Sequence, residues 1–160
     1  MSKYGLKIAI KYGEKLNEFN DISEAEDYFF SYKDNLLDKF ETICSQNSYF
    51  SPDYTVESLK KIEKWYFDLY EKNEFDKAGF TQDEFEGTMA VYFGEVVVKN
   101  NEDAKWLVTE YPYSQKKYEF FVNKGLLSMS IINMFRDLYK KQNNKRRNLL
   151  FREYNKHFVD

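Results

Sequence analysis

Residues 87-GTMAVYFGEVVVKN-100 place a single carboxylate, Glu95, inside an otherwise apolar run. Read as a helix, Phe85, Met89, Tyr92 and Val96 form one apolar stripe, while Val91, Phe93, Val97 and Val98 cover other sides. A helix apolar on most sides belongs at the centre of a bundle. A valine-rich strand over 91–98 is the rival reading. The upstream Thr81-Gln-Asp-Glu84 argues against it, because it has the form of a capping box, in which hydroxyl and carboxylate each satisfy a helix-start amide. Gly87 and Gly94 lie seven residues apart with Ala90 nearby, a small face that lets another backbone pack close.

Working outward, the chain reads as helices, a small β element, then helices. Residues 4–19 fit either a strand, by the alternation of Leu6, Ile8 and Ile10, or a helix, by Leu6, Ala9, Gly13 and Leu16. Helix is the reading adopted. Ser23-Glu-Ala-Glu26 repeats the capping-box form and opens an amphipathic helix through Ala25, Phe29, Tyr32, Leu36, Phe40 and Ile43. After the loop SQNSYFSPDY, Thr55 starts another helix with Val56, Leu59, Ile62, Tyr66 and Leu69 on one face. Short strands are expected at 106–109 and 118–122 around the Pro112 turn, with a further turn at Asn123-Lys-Gly125. Helices over about 130–141 and 144–158 close the chain. The fold class is mainly α with α+β character: one domain over 1–160, a helical bundle carrying a small antiparallel β element between its fourth and fifth helices.

Composition narrows the function classes. Cys44 is the only cysteine and His157 the only histidine, so neither a disulfide nor a cysteine-based zinc site is available. A Cys44–His157 nucleophile pair would need the terminus folded back beside the second helix. Cys44 reads better as a small buried hydrophobe. Acidic pairs sit at expected helix starts, where the helix dipole favours negative charge. No phosphate-binding glycine loop or dinucleotide fingerprint is present. The expectation is therefore no enzyme, no metal and no cofactor. No apolar run approaches the ~18 residues that span a bilayer, and the start lacks an export segment, so a cytoplasmic protein without membrane attachment is expected. Abundant Lys, Asn, Tyr, Phe and Ile, with only four Arg, is what an AT-rich bacterial genome encodes.

Charge is uneven. Residues 1–110 sum to −10 and residues 111–160 to +7. The cluster Lys140, Lys141, Lys145, Arg146 and Arg147, with Arg152 beyond it, is the best nucleic-acid signal, since such groups neutralise phosphates. A sequence pI near 5.4 and the lack of a recognition motif make nucleic acid the lesser reading. Tyr111, Tyr113 and Tyr118 surround the Pro112 turn, and tyrosines carry much of the energy of protein interfaces. Glu24, Glu26 and Asp27 supply an acidic helix start that suits a basic partner.

Asp53-Tyr-Thr-Val-Glu-Ser-Leu59, then Tyr92-Phe-Gly-Glu-Val96, then Trp106, resembles a group of small, poorly characterised bacterial proteins. In these a Tyr-x-Gly-Glu segment ends a helix and a Trp begins a short strand. Some look like immunity or defence-associated proteins encoded beside toxins. The likeness spans residues 50–140, with Asp103-Ala-Lys105 where the group has Gly-Gly before the Trp. It implies a protein-binding module, such as an immunity protein (antitoxin) whose partner is another protein. The alternatives are a nucleic-acid-associated regulator working through the basic C-terminal region, and an enzyme of unfamiliar type centred on Glu95. A structural role for Glu95 is preferred. If buried it needs partners, and Lys99 one turn on, a tyrosine hydroxyl, the Trp106 indole or amides of 100–105 are within reach. Gly94, Glu95, Lys99 and Trp106 would then fasten the helix end to the β element.

Overall fold

The computed structural model describes residues 2–131, 134 and 148–159. Its elements are α1 (Lys3–Glu14), α2 (Ile22–Ser45), α3 (Ser58–Lys72), α4 (Gln82–Asn100), β1 (Ala104–Glu110), β2 (Tyr118–Lys124), β3 (Leu127–Ser130) and α5 (Leu149–Phe158). The class is mainly α with one small antiparallel sheet, which follows the fourth helix. Of the expected helix at 130–141, Ser130 instead ends β3, Ile131 and Met134 are buried, and the other positions lie outside the described residues.

The stretch around Glu95 is helix, and it is central. Thr81 and Glu84 form a reciprocal capping box at the start of α4. Phe85, Met89, Val91, Tyr92, Phe93, Val96 and Val97 are all fully buried, so every side of the helix but one narrow strip is covered. α4 touches α2, α3, α5, β1 and β2. The sheet is a meander in the order β1-β2-β3. Trp106 pairs with Val122 and Val108 with Phe120, and the inward positions Ala104, Val108, Tyr118, Phe120 and Val122 are buried. Two apolar clusters result. The larger lies among α2, α3, α4 and α5, and the smaller holds Phe19, Ala25, Phe29, Val108, Tyr118 and Phe120. Trp106 packs against both.

Four sequence expectations are corrected. α2 is capped by Asp21, whose Oδ1 accepts from the Glu24 amide at 2.9 Å, and not by Ser23. Its Glu24 reaches back to the Asn20 amide at 3.3 Å. The cap lies two residues earlier than expected, and because Glu24 bonds the amide before Asp21 rather than that of Asp21 itself, it is a single side-chain cap and not a reciprocal box. Helix α3 begins at Ser58, because Asp53 draws Thr55 into a turn by accepting from both its amide (3.0 Å) and its hydroxyl (2.8 Å). A third strand exists where only a turn was expected. Gly125, at φ +61, opens a two-residue turn that pairs Lys124 with Leu127. α1 stops at Glu14, and residues 16–19 run along the hairpin, with Phe19 N–H donating to Lys116 O and Tyr118 N–H to Asn17 O.

Candidate interaction surface

Two side-chain joints, one centred on Tyr92 and one on Trp106, tie the elements together. The Tyr92 hydroxyl accepts from the Tyr54 amide at 3.1 Å and lies 2.7 Å from Ser58 Oγ, while Tyr54 stacks on the Tyr92 ring at 4.9 Å. Asn100 adds a bond to Tyr54 O at 2.9 Å. Burial pushes the Tyr92 hydroxyl up to about 12 against the opposing effect of these bonds. The two segments on which the resemblance rests, 53–59 and 92–96, thus meet at one buried hydroxyl.

The second joint is the one expected near Glu95. The Trp106 indole N–H donates to Glu95 Oε2 at 3.0 Å, and the indole stacks on Phe120 at 4.7 Å. Gly94 makes the approach possible, since a Cβ there would lie 2.6 Å from Trp106 Cζ2 and 2.8 Å from Val122 Cγ2. The small residue admits an indole ring, not a second backbone. Gly87 instead faces Tyr32 and Leu36 of α2. Lys99 is not the charge partner. Its ammonium sits 4.7 Å above the Tyr54 ring, and the cation near Glu95 is Lys33 of α2 at 3.8 Å. A lysine from another helix took the place that the i,i+4 spacing had suggested for Lys99.

A third fastening carried no sequence signal. Glu63 of α3, 1% exposed, accepts from the Leu149 amide with both oxygens at 3.0 and 3.1 Å, so it caps α5 from another helix.

Among the described residues, the remaining named ones are not brought together into one site. Tyr118 is buried beside Phe19 and is withdrawn from the surface. Tyr111 and Tyr113 stay at the hairpin, their rings 5.7 Å apart, with Tyr113 exposed. Glu24, Glu26 and Asp27 are exposed on the first turns of α2, Glu24 being engaged in the cap. Lys140, Lys141, Lys145, Arg146 and Arg147 lie outside the described residues. Arg152 turns back to Asn148 O in the first turn of α5. Cys44 is buried, and burial pushes its thiol up to about 12. His157 pairs with Glu153 at 3.2 Å rather than with Cys44. Among the described residues no group of three or more His, Cys, Asp or Glu is placed to hold a metal ion, and no helix is long and apolar enough to cross a membrane.

Among the described residues, α1 gathers more exposed large apolar side chains than any other helix or strand. Ser2 caps it by accepting from the Gly5 amide at 3.0 Å. It rests on the hairpin through small residues: the Tyr111 hydroxyl donates to Ala9 O at 2.9 Å, and Gly13 is buried against Tyr111 and Ser114. Tyr12 lies 5.4 Å from Tyr111, edge to face, and donates to Glu119 Oε2 at 3.0 Å. Burial holds the Glu119 carboxyl above the usual range, and burial together with that carboxylate pushes Tyr12 up to about 12. The bulky residues point away: Tyr4 is 76% exposed, Ile8 53%, Ile10 43% and Leu6 42%. Leu6 and Ile10 bound a shallow hollow of about 400 Å³ with Lys3, Lys7, Lys11 and Glu14. Sequence reasoning missed this surface. The signal was the alternation of Leu6, Ile8 and Ile10, which in a helix sends apolar side chains to two opposite flanks instead of one buried face.

Comparison with known proteins places the chain. Residues 18–158 match the family described as "Uncharacterised protein YwmA". The chain is 30% identical over 129 residues to "Uncharacterized protein YwmA" of Bacillus subtilis (strain 168), a match covering 81% of this chain and 82% of that protein. No solved structure matches. The chain belongs to the YwmA family, and α1 precedes the matched span.

Proposed function

We propose that this member of the YwmA family is a non-catalytic protein-binding module whose interface is α1 with the adjoining Tyr111–Tyr113 hairpin. One observation carries the reading: Tyr4, Leu6, Ile8 and Ile10 are exposed on a helix that meets its own fold through Ala9 and Gly13. Four exposed apolar side chains gathered on the two flanks of one short helix exceed the singly scattered ones of an ordinary surface, and such surface marks interaction sites. Tyr4, Ile8 and Tyr12, one turn apart, continue into Tyr111 and Tyr113, and tyrosines are over-represented among residues that dominate binding energy. The sequence-level argument for a basic partner does not extend to this surface, because the charges on α1 are mostly lysines.

A toxin-neutralising immunity protein acting in the cytoplasm is the narrower form of this proposal. It draws its support from the resemblance carried by 53–59, 92–96 and Trp106. The test is to express the tagged full chain with the products of the adjacent genes and measure retention. Retention that is lost in Ile8→Ser with Tyr113→Ser, and kept in the surface control Glu102→Ser, is the expected result. Retention indifferent to the α1 and hairpin changes removes the assigned interface. Binding to none of the neighbouring products removes the toxin-neutralising form.

A further inference from the structure

We infer that α1 is itself the recognition element, a basic helix that seats in a groove of a protein partner with apolar walls and an acidic floor. The inference rests on the protein-binding reading above and adds to it the partner's chemistry and the direction of insertion. At 3.6 residues per turn, Lys3, Lys7, Lys11 and Lys15 follow one another along a single stripe. Gly5, Ala9 and Gly13 lie on the side turned to the hairpin, so the lysines form the outermost ridge. Leu6 and Ile10 lie on one flank of that ridge and Tyr4 and Ile8 on the other, all exposed.

Lys11 in the last turn suits the helix dipole, but Lys3 and Lys7 do not serve the helix that carries them. Like charges at i,i+4 destabilise a helix, and lysine near a helix start opposes the helix dipole. The first turn of α1 contains no acidic residue to offset this. None of the four ammoniums makes an ion pair among the described residues, and Glu14 is the single acidic residue of the helix. An outside acidic surface is what this arrangement matches.

Shape selects among acidic surfaces. A flat anionic bilayer would meet the lysine ridge first and leave both apolar flanks outside the hydrocarbon. A second copy packed on the same face would set lysines against lysines. A groove that embraces half the circumference buries Leu6 and Ile10 on one wall, Tyr4 and Ile8 on the other, and answers the ammoniums at its floor. This is helix-in-groove recognition with the present chain supplying the helix.

The experiment places a photo-crosslinking amino acid in the full chain, separately at Leu6, Ile8 and Tyr113, in the native host. The expected result is that the Leu6 and Ile8 sites capture the same protein and the same acidic segment of it. Lys7→Glu with Lys11→Glu should cut that yield at least about tenfold, while Lys7→Arg with Lys11→Arg keeps it. These positions are exposed, so circular dichroism should show the fold unchanged. Capture from one flank only, capture of a second copy, or equal lysine-dependent retention on phosphatidylglycerol vesicles or duplex DNA overturns the groove. Capture from Tyr113 alone keeps the protein-binding module and removes the α1 groove. Capture from none of the three removes both.

Discussion

The Trp106 indole N–H reaches Glu95 Oε2 at 3.0 Å across the space left by the missing side chain of Gly94. One bond therefore ties the central helix to the first strand, at the residue that packs against both apolar clusters. Glu95→Ala leaves a part-buried indole N–H without its acceptor and should cost about 1–3 kcal/mol. Glu95→Gln retains an acceptor oxygen and should cost about 1 kcal/mol or less, because Lys33 keeps its closer ion pair with Asp34 at 2.9 Å when the charge at Glu95 is lost. Urea denaturation of the two variants checks the order. Equal losses would show that the charge, not the hydrogen bond, is what matters.

Gly94→Ala should destabilise by about 1–3 kcal/mol, because the new methyl group meets the Trp106 ring and Val122, both enclosed. Gly87→Ala meets chiefly the Tyr32 hydroxyl at 2.8 Å, the far end of a side chain that can swing aside. Its cost should be the smaller of the two by denaturant midpoint, and a reversed order would refute this account of the helix.

Tyr92→Phe removes the partner of both the Tyr54 amide and the Ser58 hydroxyl. Stranding the Tyr54 amide should cost about 1–3 kcal/mol. Ser58 keeps its bond to Thr55 O at 2.6 Å, so Ser58→Ala combined with Tyr92→Phe should be less than additive. A double-mutant cycle in urea measures the coupling.

Asp21→Ala should cost about 1 kcal/mol and Ser23→Ala within about 0.5 kcal/mol, since Asp21 bonds the α2 amide and Ser23 is an exposed first-turn residue. Thermal midpoints of the two variants distinguish the caps. The opposite order would restore Ser23.

Alkaline pH should unfold the protein through its tyrosines. Burial raises Tyr92 from its ordinary 10.0 to about 12, and burial with the Glu119 carboxylate does the same to Tyr12. A hydroxyl raised on folding favours the folded state fully below pH 10.0, and that contribution is lost as pH climbs from there through about 12. Stability should be flat in this respect at neutral pH and fall above 10. Tyr92→Phe should have a shallower fall, read by denaturation at several pH values alongside tyrosinate absorbance. An identical slope in the variant would remove Tyr92 from the effect.

The helices were legible where apolar periodicity and caps agreed. Thr81 and Glu84, followed by Phe85, Met89, Tyr92 and Val96, announce α4 and its central place, because a helix with valines on its remaining sides has no face for water. The cap of α2 was displaced by two residues because Asp21 and Ser23 both satisfy the local pattern, and only backbone conformation chooses between them. β3 was missed because Leu127–Ser130 is four residues long and takes its strand character from pairing with β2.

By itself the sequence determined the class of fold, the centrality of 87–100 and Trp106 as one candidate partner for Glu95. These are consequences of local hydrophobic spacing and short-range hydrogen-bond chemistry. Tertiary structure decided which cation stands by Glu95, that Tyr118 is core, that Glu63 caps a helix 86 positions away, and that α1 shows its bulky residues to the outside. Each depends on where a second element lies, and no local pattern encodes that position. Residues 4–19 looked ambiguous because Leu6, Ile8 and Ile10 share one face of a strand while Leu6, Ala9, Gly13 and Leu16 share one face of a helix; in the helix that forms, the first three split between two flanks. The fold leaves both flanks exposed.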